Sequence, residues 1–296
     1  MPLFMMVSGY LLVGSLERHR AGEVLIIKCQ SLLLPSLFWG ILMACMSIAQ
    51  MLASGQIPAV GECIWLVVYK IACNFWFLKA VFISCLVVII VEKCLSGSSF
   101  AYCLICAAGI LAPDFFNLST IGLVLPFFVI GYRHGAKIWD IKFTIPRCLL
   151  VTVSYLLLLM GNVWMERTLQ VDWLTGRSIN GLANFVLGMT GSLSVIGWAA
   201  HLRNRLPKRV LDMAKNLGRS TMMIYIASTV EFTAISMLLG RFETIASETF
   251  LGAMLYDIVV LLPLSIMLIA ICYLIEKIVD KSAILSMLMF GKRKTR

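Results

Sequence analysis

Sixteen consecutive residues, Trp76 to Val91, carry a single charge, that of Lys79, and comparable apolar runs recur along the whole chain. In hydrocarbon every backbone N–H and C=O must find its partner within the protein, so such runs fold as helices or as the strands of a closed barrel. A barrel strand alternates apolar and polar residues, and no segment here shows that alternation. Helices follow, despite the many valines and isoleucines. With 60% of 296 residues hydrophobic, 14% charged and a mean hydropathy of +0.94, the chain is too apolar for a water-soluble globule.

A span takes about 20 residues, since the hydrocarbon is about 30 Å thick and a helix rises about 1.5 Å per residue. Nine segments meet that description: 2–16, 24–52, 74–91, 100–112, 118–132, 145–163, 179–200, 219–239 and 254–276. The reading is therefore an all-α fold, a polytopic transmembrane helix bundle of about nine spans forming one membrane-embedded domain over 1–296. Pro35 lies inside the second, overlong segment and predicts a kink or a tilted interfacial start. The fourth segment is short, stops at Pro113-Asp114, and reads as a thin hairpin with the fifth.

Nine crossings put the termini on opposite sides, and the cations divide accordingly. Twenty of the 25 Lys and Arg fall on one side: Arg18, Arg20, Lys28, Lys93, Arg133, Lys137, Lys142, Arg147, the six between Arg203 and Arg219, and the six from Lys277 onward. Lys70, Lys79, Arg167, Arg177 and Arg241 fall on the other. By the positive-inside rule the C-terminus is cytoplasmic and Met1 lies on the outer face. The net charge of +10 is then a topology signal, and nucleic acid is set aside as a partner. Membrane lipid is the partner instead, with the tail GKRKTR at 291–296 expected on anionic headgroups. The first run has no basic flank or cleavage site of a signal peptide, and its outer start points to a parent architecture with one more helix upstream.

The ten cysteines mostly sit in apolar runs, where a thiol acts as a small hydrophobe. Cys103 and Cys106 form a C-x-x-C with no second ligand pair, so no metal is expected. Cys63 and Cys73 share a segment read as an outer loop, where an oxidising compartment would allow them to pair. Signatures of soluble enzymes are absent: no GxSxG, no HExxH and no Walker loop. His19, His134 and His201 stand in basic loops beside Arg18 and Arg20, Arg133, and Arg203. These loops read either as solvated surface or as a basic mouth for a phosphate-bearing donor, whose oxygens suit the arginine fork.

Ionisable groups inside spans cost about 2.5 to 3.5 kcal/mol on insertion scales and demand a partner, a cavity or an escape. Lys79 is placed to snorkel outward, Asp257 is near an outer end, and Glu231 lies about 18 Å from the inner boundary, twelve residues beyond Arg219. Glu231 is therefore expected to face the interior, as a proton-transfer group or as a structural hydrogen-bond partner. Trp76, in the stretch Phe75-Trp76-Phe77-Leu78 that follows Asn74, is open to two readings: interfacial anchor or platform for a sugar ring.

Four motifs occur in order. MPLFMMVSGYLL at 1–12 is followed by Lys28, Leu32, Leu33, Pro35 and Trp39 of a K-x-x-x-L-L-x-P-x-x-x-W stretch; FWFLKAVF stands at 75–82, LPFFVIGYRHG at 125–135 and LGRSTMMIYIAS at 217–228. This set resembles the acyltransferase-3 family of multispan membrane O-acyltransferases, over nearly the whole chain. The resemblance implies transfer of an acyl group, usually acetyl from acetyl-CoA, to a hydroxyl of a cell-surface or lipid-linked sugar, in the bacterial inner membrane. It implies no tightly bound cofactor, acyl-CoA being a substrate. It places Arg18, Arg20, Lys28, Arg133 and Arg219 at the donor, Tyr225 and Glu231 in the interior as catalytic candidates, and Asn74 and Trp76 toward the acceptor. Ser8 and Gly9 would let helices approach closely. The family's first helix, with its basic residue and histidine, does not precede Met1, and the histidine that often closes the I-Y-x-x-H element is Ser228. Loss of a positioned base costs about 10²- to 10⁴-fold, so the resemblance also implies a slow or inactive enzyme as written. Two other classes fit the same bundle: a transporter or flippase of lipid-linked sugar, and a catalytically dead acyltransferase-like partner. Against transport, no inverted repeat or paired broken helices are visible.

Overall fold

The structure, a computed structural model, describes residues 1–55, 57–111, 117–141, 143–168, 173–203, 205–219, 221–222, 224–226, 229 and 262–291. Every regular element among them is helical: α1 (Pro2–Arg18), α2 (Ala21–Lys28), a π-helical turn (Cys29–Leu33), α3 (Leu34–Ala53), α4 (Val60–Cys73), α5 (Trp76–Cys94), α6 (Ser99–Leu111), α7 (Leu118–Trp139), α8 (Ile145–Thr168), α9 (Trp173–Arg203), α10 (Lys208–Arg219), α11 (Leu262–Val279) and α12 (Ala283–Phe290). The all-α expectation holds. Among the described residues, length and composition by themselves mark three stretches as able to cross a membrane, Ala21–Ala53, Ile145–Asn162 and Gly181–Arg203, with a fourth if α4 and α5 count as one broken span. The expected nine are not confirmed on that measure: α1 and α6 are only 17 and 13 residues long, and most of 219–239 and the start of 254–276 lie outside the described residues.

Pro35 lacks an N–H, and its ring would crowd the carbonyl one turn back. The chain answers with the π-helical turn Cys29–Leu33 just before it, and Ala21–Ala53 continues as one 33-residue helical stretch. The anticipated disturbance is thus a local widening rather than a break.

The described residues form two compact units, one from 1–32 with 76–211 and the other from 33–75 with 212–296. In the first, α1 and α7 are the most extensively paired helices. Gly9 lies on the backbone of Phe128 and Tyr132, Gly131 on that of Met6, and Gly135 on the ring of Tyr10. A β-carbon on Gly9 or Gly131 would collide with the opposing carbonyl, so glycine is what permits this approach. The contacts advance together along both chains, which makes α1 and α7 parallel. Phe4 and Phe77 pack at 6.1 Å, joining the starts of α1 and α5. Gly181 lies beside Leu123 and Gly188 beside Phe127, so α9 is parallel to α7 as well. By contrast α6 opposes α7, with Gly109 against Gly122 and Ser99 against Arg133. Helix α8 opposes α9, with Tyr155 beside Gly191, Thr152 2.7 Å from Ser194, and Trp198 donating to Thr152 at 3.0 Å. In this unit α1, α5, α7 and α9 thus run one way and α6 and α8 the other, as alternating spans require. The core between them is Met5, Leu12, Val88, Phe127 and Phe128, all at 2% exposure or less.

In the second unit α3 and α4 run antiparallel, with Gly40 against Ile71. Trp39 donates its indole N–H to the Met289 carbonyl at 3.0 Å and packs on Val279 and Phe290. Helices α4, α10 and α12 correct the sequence reading, which placed loops or tail there. The correction removes the Cys63–Cys73 pairing: ten positions apart on α4 separates them by about 15 Å along the axis, whereas a disulfide needs Cα atoms within about 7 Å, and neither cysteine is in a disulfide.

Candidate functional site

Parallel helices finish at the same end, so their last turns pool charge. In the first unit Arg18 closes α1, Lys93 is at the close of α5, Arg133, His134 and Lys137 are in the last turns of α7, and Arg203 closes α9. Arg18, Arg133, His134 and Lys137 are exposed. At the opposite end of these parallel helices stand the half-buried Lys79, near the start of α5, and Arg177, near the start of α9. The basic end is organised by side chains from three helices. Arg133 donates from Nη1 to Ser99 Oγ at 2.7 Å and from Nη2 to the Gly97 carbonyl, and its guanidinium lies 5.1 Å from the ring centre of Tyr102. Tyr102 in turn donates to Glu92 Oε1 at 3.0 Å, and Tyr132 shares the same carboxylate. Gly97, at φ +65°, makes the turn between α5 and α6, and a β-carbon there would strike the Glu92 carboxylate.

Between α6 and α7 this leaves an open groove of about 280 Å³ lined by Tyr102, Cys103, Cys106, Val129, Arg133 and His134. Arg133 has five N–H donors; two are held by Ser99 and Gly97. It is thus a fixed cation with donors to spare, which is the condition for recognising a phosphate at low entropic cost.

The other expected donor residues are distributed in depth. Arg18 Nε donates to the Gly14 carbonyl at 2.9 Å. The Arg20 backbone N–H donates to Glu23 Oε2 at 3.3 Å, and that carboxylate is 3.7 Å from His19 Nδ1. Arg20 therefore begins α2 at the basic end, and Lys28 lies about 12 Å further along its axis. Lys28 is half-buried and within electrostatic reach of Cys85, which is fully buried in α5. It is an interior cation rather than a loop one. The same unit buries two polar atoms that have no hydrogen-bond partner among the described residues, Gln30 Oε1 and Ser84 Oγ. In lipid such atoms are costly unless a ligand or water meets them.

Other expected residues lie elsewhere. Trp76 is in the first unit, half-buried, its ring edge-on to Phe77 at 6.1 Å. Asn74 and Tyr225 are in the second unit: Asn74 donates to the Met43 sulfur at 3.4 Å, and the Tyr225 ring meets Phe75 edge-on at 6.4 Å. Arg219 ends α10 in that unit. Glu231, Ser228 and Asp257 lie outside the described residues. Sequence reasoning missed Glu92, Tyr102, Gln30 and Ser84. A Glu beside Lys93 at a span end looks solvated, and only the fold shows that two tyrosines converge on it.

A family model described as an acyltransferase domain matches residues 1–277, and the chain belongs to this acyltransferase-3 family. No curated protein and no solved structure matches the chain. With apolar helices and this membership, the protein is a membrane acyltransferase in general class.

Proposed function

We propose that the protein moves an acyl group, acetyl in the leading reading, from acyl-CoA to a hydroxyl of a cell-surface or lipid-linked sugar. The observation that carries this is the gathering of Arg18, Arg20 and the clamped Arg133 at one end of the parallel helices, with Lys28 deeper on the same side. A donor bearing phosphates and an acyl thioester on an extended arm needs cations at a mouth and a polar path inward. Gln30 and Ser84 supply unpartnered polar atoms for that path. In the transfer the sugar oxygen bonds to the thioester carbonyl carbon, the C–S bond breaks, the hydroxyl proton passes to a base, and the thiolate leaves to be protonated as free coenzyme A. Tyr225 and Glu231 are the candidate base or proton relay, while Asn74 and Trp76 are the candidates to orient the acceptor. The basic end faces the cytoplasm, where acyl-CoA is made, and the opposite end faces the acceptor; the host membrane is a bacterial inner membrane. The proposal is tested by mass spectrometry of surface glycans from cells with and without the gene. Loss of an acyl mass increment on deletion and its return on complementation supports it. Unchanged acylation with altered export of the unacylated glycan supports the transporter reading instead.

A further inference from the structure

Between α9 and the second unit's later helices, a stretch dense in Lys and Arg folds as α10, and its residues segregate by face. Successive positions on a helix advance about 100°, so the sequence spacing Val210, Met213, Ala214, Leu217 places four apolar residues on one stripe. Lys208, Asp212 and Lys215 fall on the opposite side, and Arg209 at the edge. The structure leaves the stripe's described side chains uncovered: Val210 is 45% and Met213 66% exposed, and Ala214 is exposed too. The charged side is equally open, with Lys215 3.4 Å from Asp212 in an exposed i,i+3 pair. Low overall hydrophobicity with sharply divided faces distinguishes a helix that lies in a membrane interface from one that spans it. The preceding span ends at Arg203, with Arg205 between it and α10, so the helix begins within a few residues of the bilayer boundary.

We infer that α10 lies flat on the membrane at the basic end of the bundle. Val210 and Met213 sink to the headgroup–acyl boundary, and Arg203, Arg205, Lys208 and Arg209 draw the segment to anionic lipid. The occupant of the uncovered stripe is thus lipid rather than a second protein. Charge complementarity selects an anionic leaflet, because the cations sit within a Debye length of about 8 to 10 Å of the surface. This inference is independent of the acyl-transfer reading.

The test uses the full chain in nanodiscs of phosphatidylcholine alone or with about 30% phosphatidylglycerol, the order of anionic content at which surface potential matters. A benzophenone amino acid replaces Met213 in one variant and Lys208 in another. After irradiation, intact mass spectrometry counts lipid adducts. Met213→benzoylphenylalanine is expected to capture lipid at least fivefold more often than Lys208→benzoylphenylalanine. Its yield is expected to rise when phosphatidylglycerol is present, and that rise is expected to vanish when Arg205, Lys208 and Arg209 are all changed to Glu. Equal lipid capture at both positions, or protein–protein adducts in place of lipid at Met213, overturns the inference. Size-exclusion profiles matching the unmodified chain show that each variant is folded, and Lys208→Arg, which keeps the charge, is expected to preserve the lipid dependence.

Discussion

Gly131 of α7 lies against the backbone of Met6 in α1 so closely that a β-carbon would overlap the Met6 carbonyl. Membrane helices gain little from hydrophobicity against one another, so contact of this kind, backbone on backbone, is a main source of their association. Gly131→Ala is expected to destabilise by about 1 to 3 kcal/mol through overpacking, and Gly131→Leu to abolish a monodisperse fold. Gly161→Ala has nothing within 4 Å of the new β-carbon and is expected to be neutral or slightly stabilising. Thermal unfolding in detergent, followed by size-exclusion, reads both.

The three-helix clasp at the basic end gives a second expectation. Tyr102→Phe keeps the ring under Arg133 but removes the hydrogen bond to the Glu92 carboxylate. A bond to a charged group contributes about 1.5 to 3 kcal/mol, the lower end applying because Tyr102 is buried but the accepting Glu92 carboxylate is only half-buried. The expected loss is about 1.5 kcal/mol, with donor affinity less affected than after Arg133→Lys. The latter keeps the charge but loses the fork that holds Gly97 and Ser99 together. Donor KM measured beside melting temperature separates the two variants.

Gly97 adopts φ +65°, a region L-residues enter at a cost of about 1 to 2 kcal/mol. Gly97→Ala adds a clash with the Glu92 carboxylate to that cost. The outcome expected is a larger drop in stability than for Tyr102→Phe. Glu92→Ala in the same chain should relieve part of it, and a double-mutant cycle showing no coupling between the two positions contradicts the geometry.

Lys28 is an interior cation, and removing it separates stability from function. Lys28→Met takes away a half-buried charge and is expected to leave the melting temperature unchanged or raised. Acyl transfer is expected to fall at least tenfold, with Lys28→Arg recovering part of it. Acyl transfer by Lys28→Met at the parent's rate contradicts the role assigned to this side chain.

Much of this architecture was legible in the apolar runs, and the illegible parts share physical causes. The segments at 2–16, 100–112 and 145–163 return as α1, α6 and α8, because a long apolar run in lipid has few alternatives to a helix. Helix α4 escaped because Glu62 and Lys70 break its apolar run and Pro58 stands before it, so it passed for a loop. Helix α10 escaped for the opposite reason: its charges hide an apolar stripe that appears only once residues are placed at helical spacing. At the site, Arg133 was singled out beside a basic loop, but its partners Ser99 and Tyr102 come from a different helix, and Glu92 from a third. No local spacing encodes such a meeting. Lys28 was legible as a cation but not as a half-buried one, since its depth follows from where α2 packs against α5.

The most direct measurement is transfer itself. Purified chain in nanodiscs is incubated with acetyl-CoA carrying label in the acetyl group and with surface glycan isolated from a host lacking the gene. The account predicts label appearing on the glycan as an alkali-labile ester, released free thiol in equal amount, and loss of both when Arg18, Arg20 and Arg133 are changed to Ala in a chain that still elutes as a folded species. Labelled ester formed at an undiminished rate by that triple variant, or glycan crossing the bilayer with no ester formed by the parent chain, contradicts it.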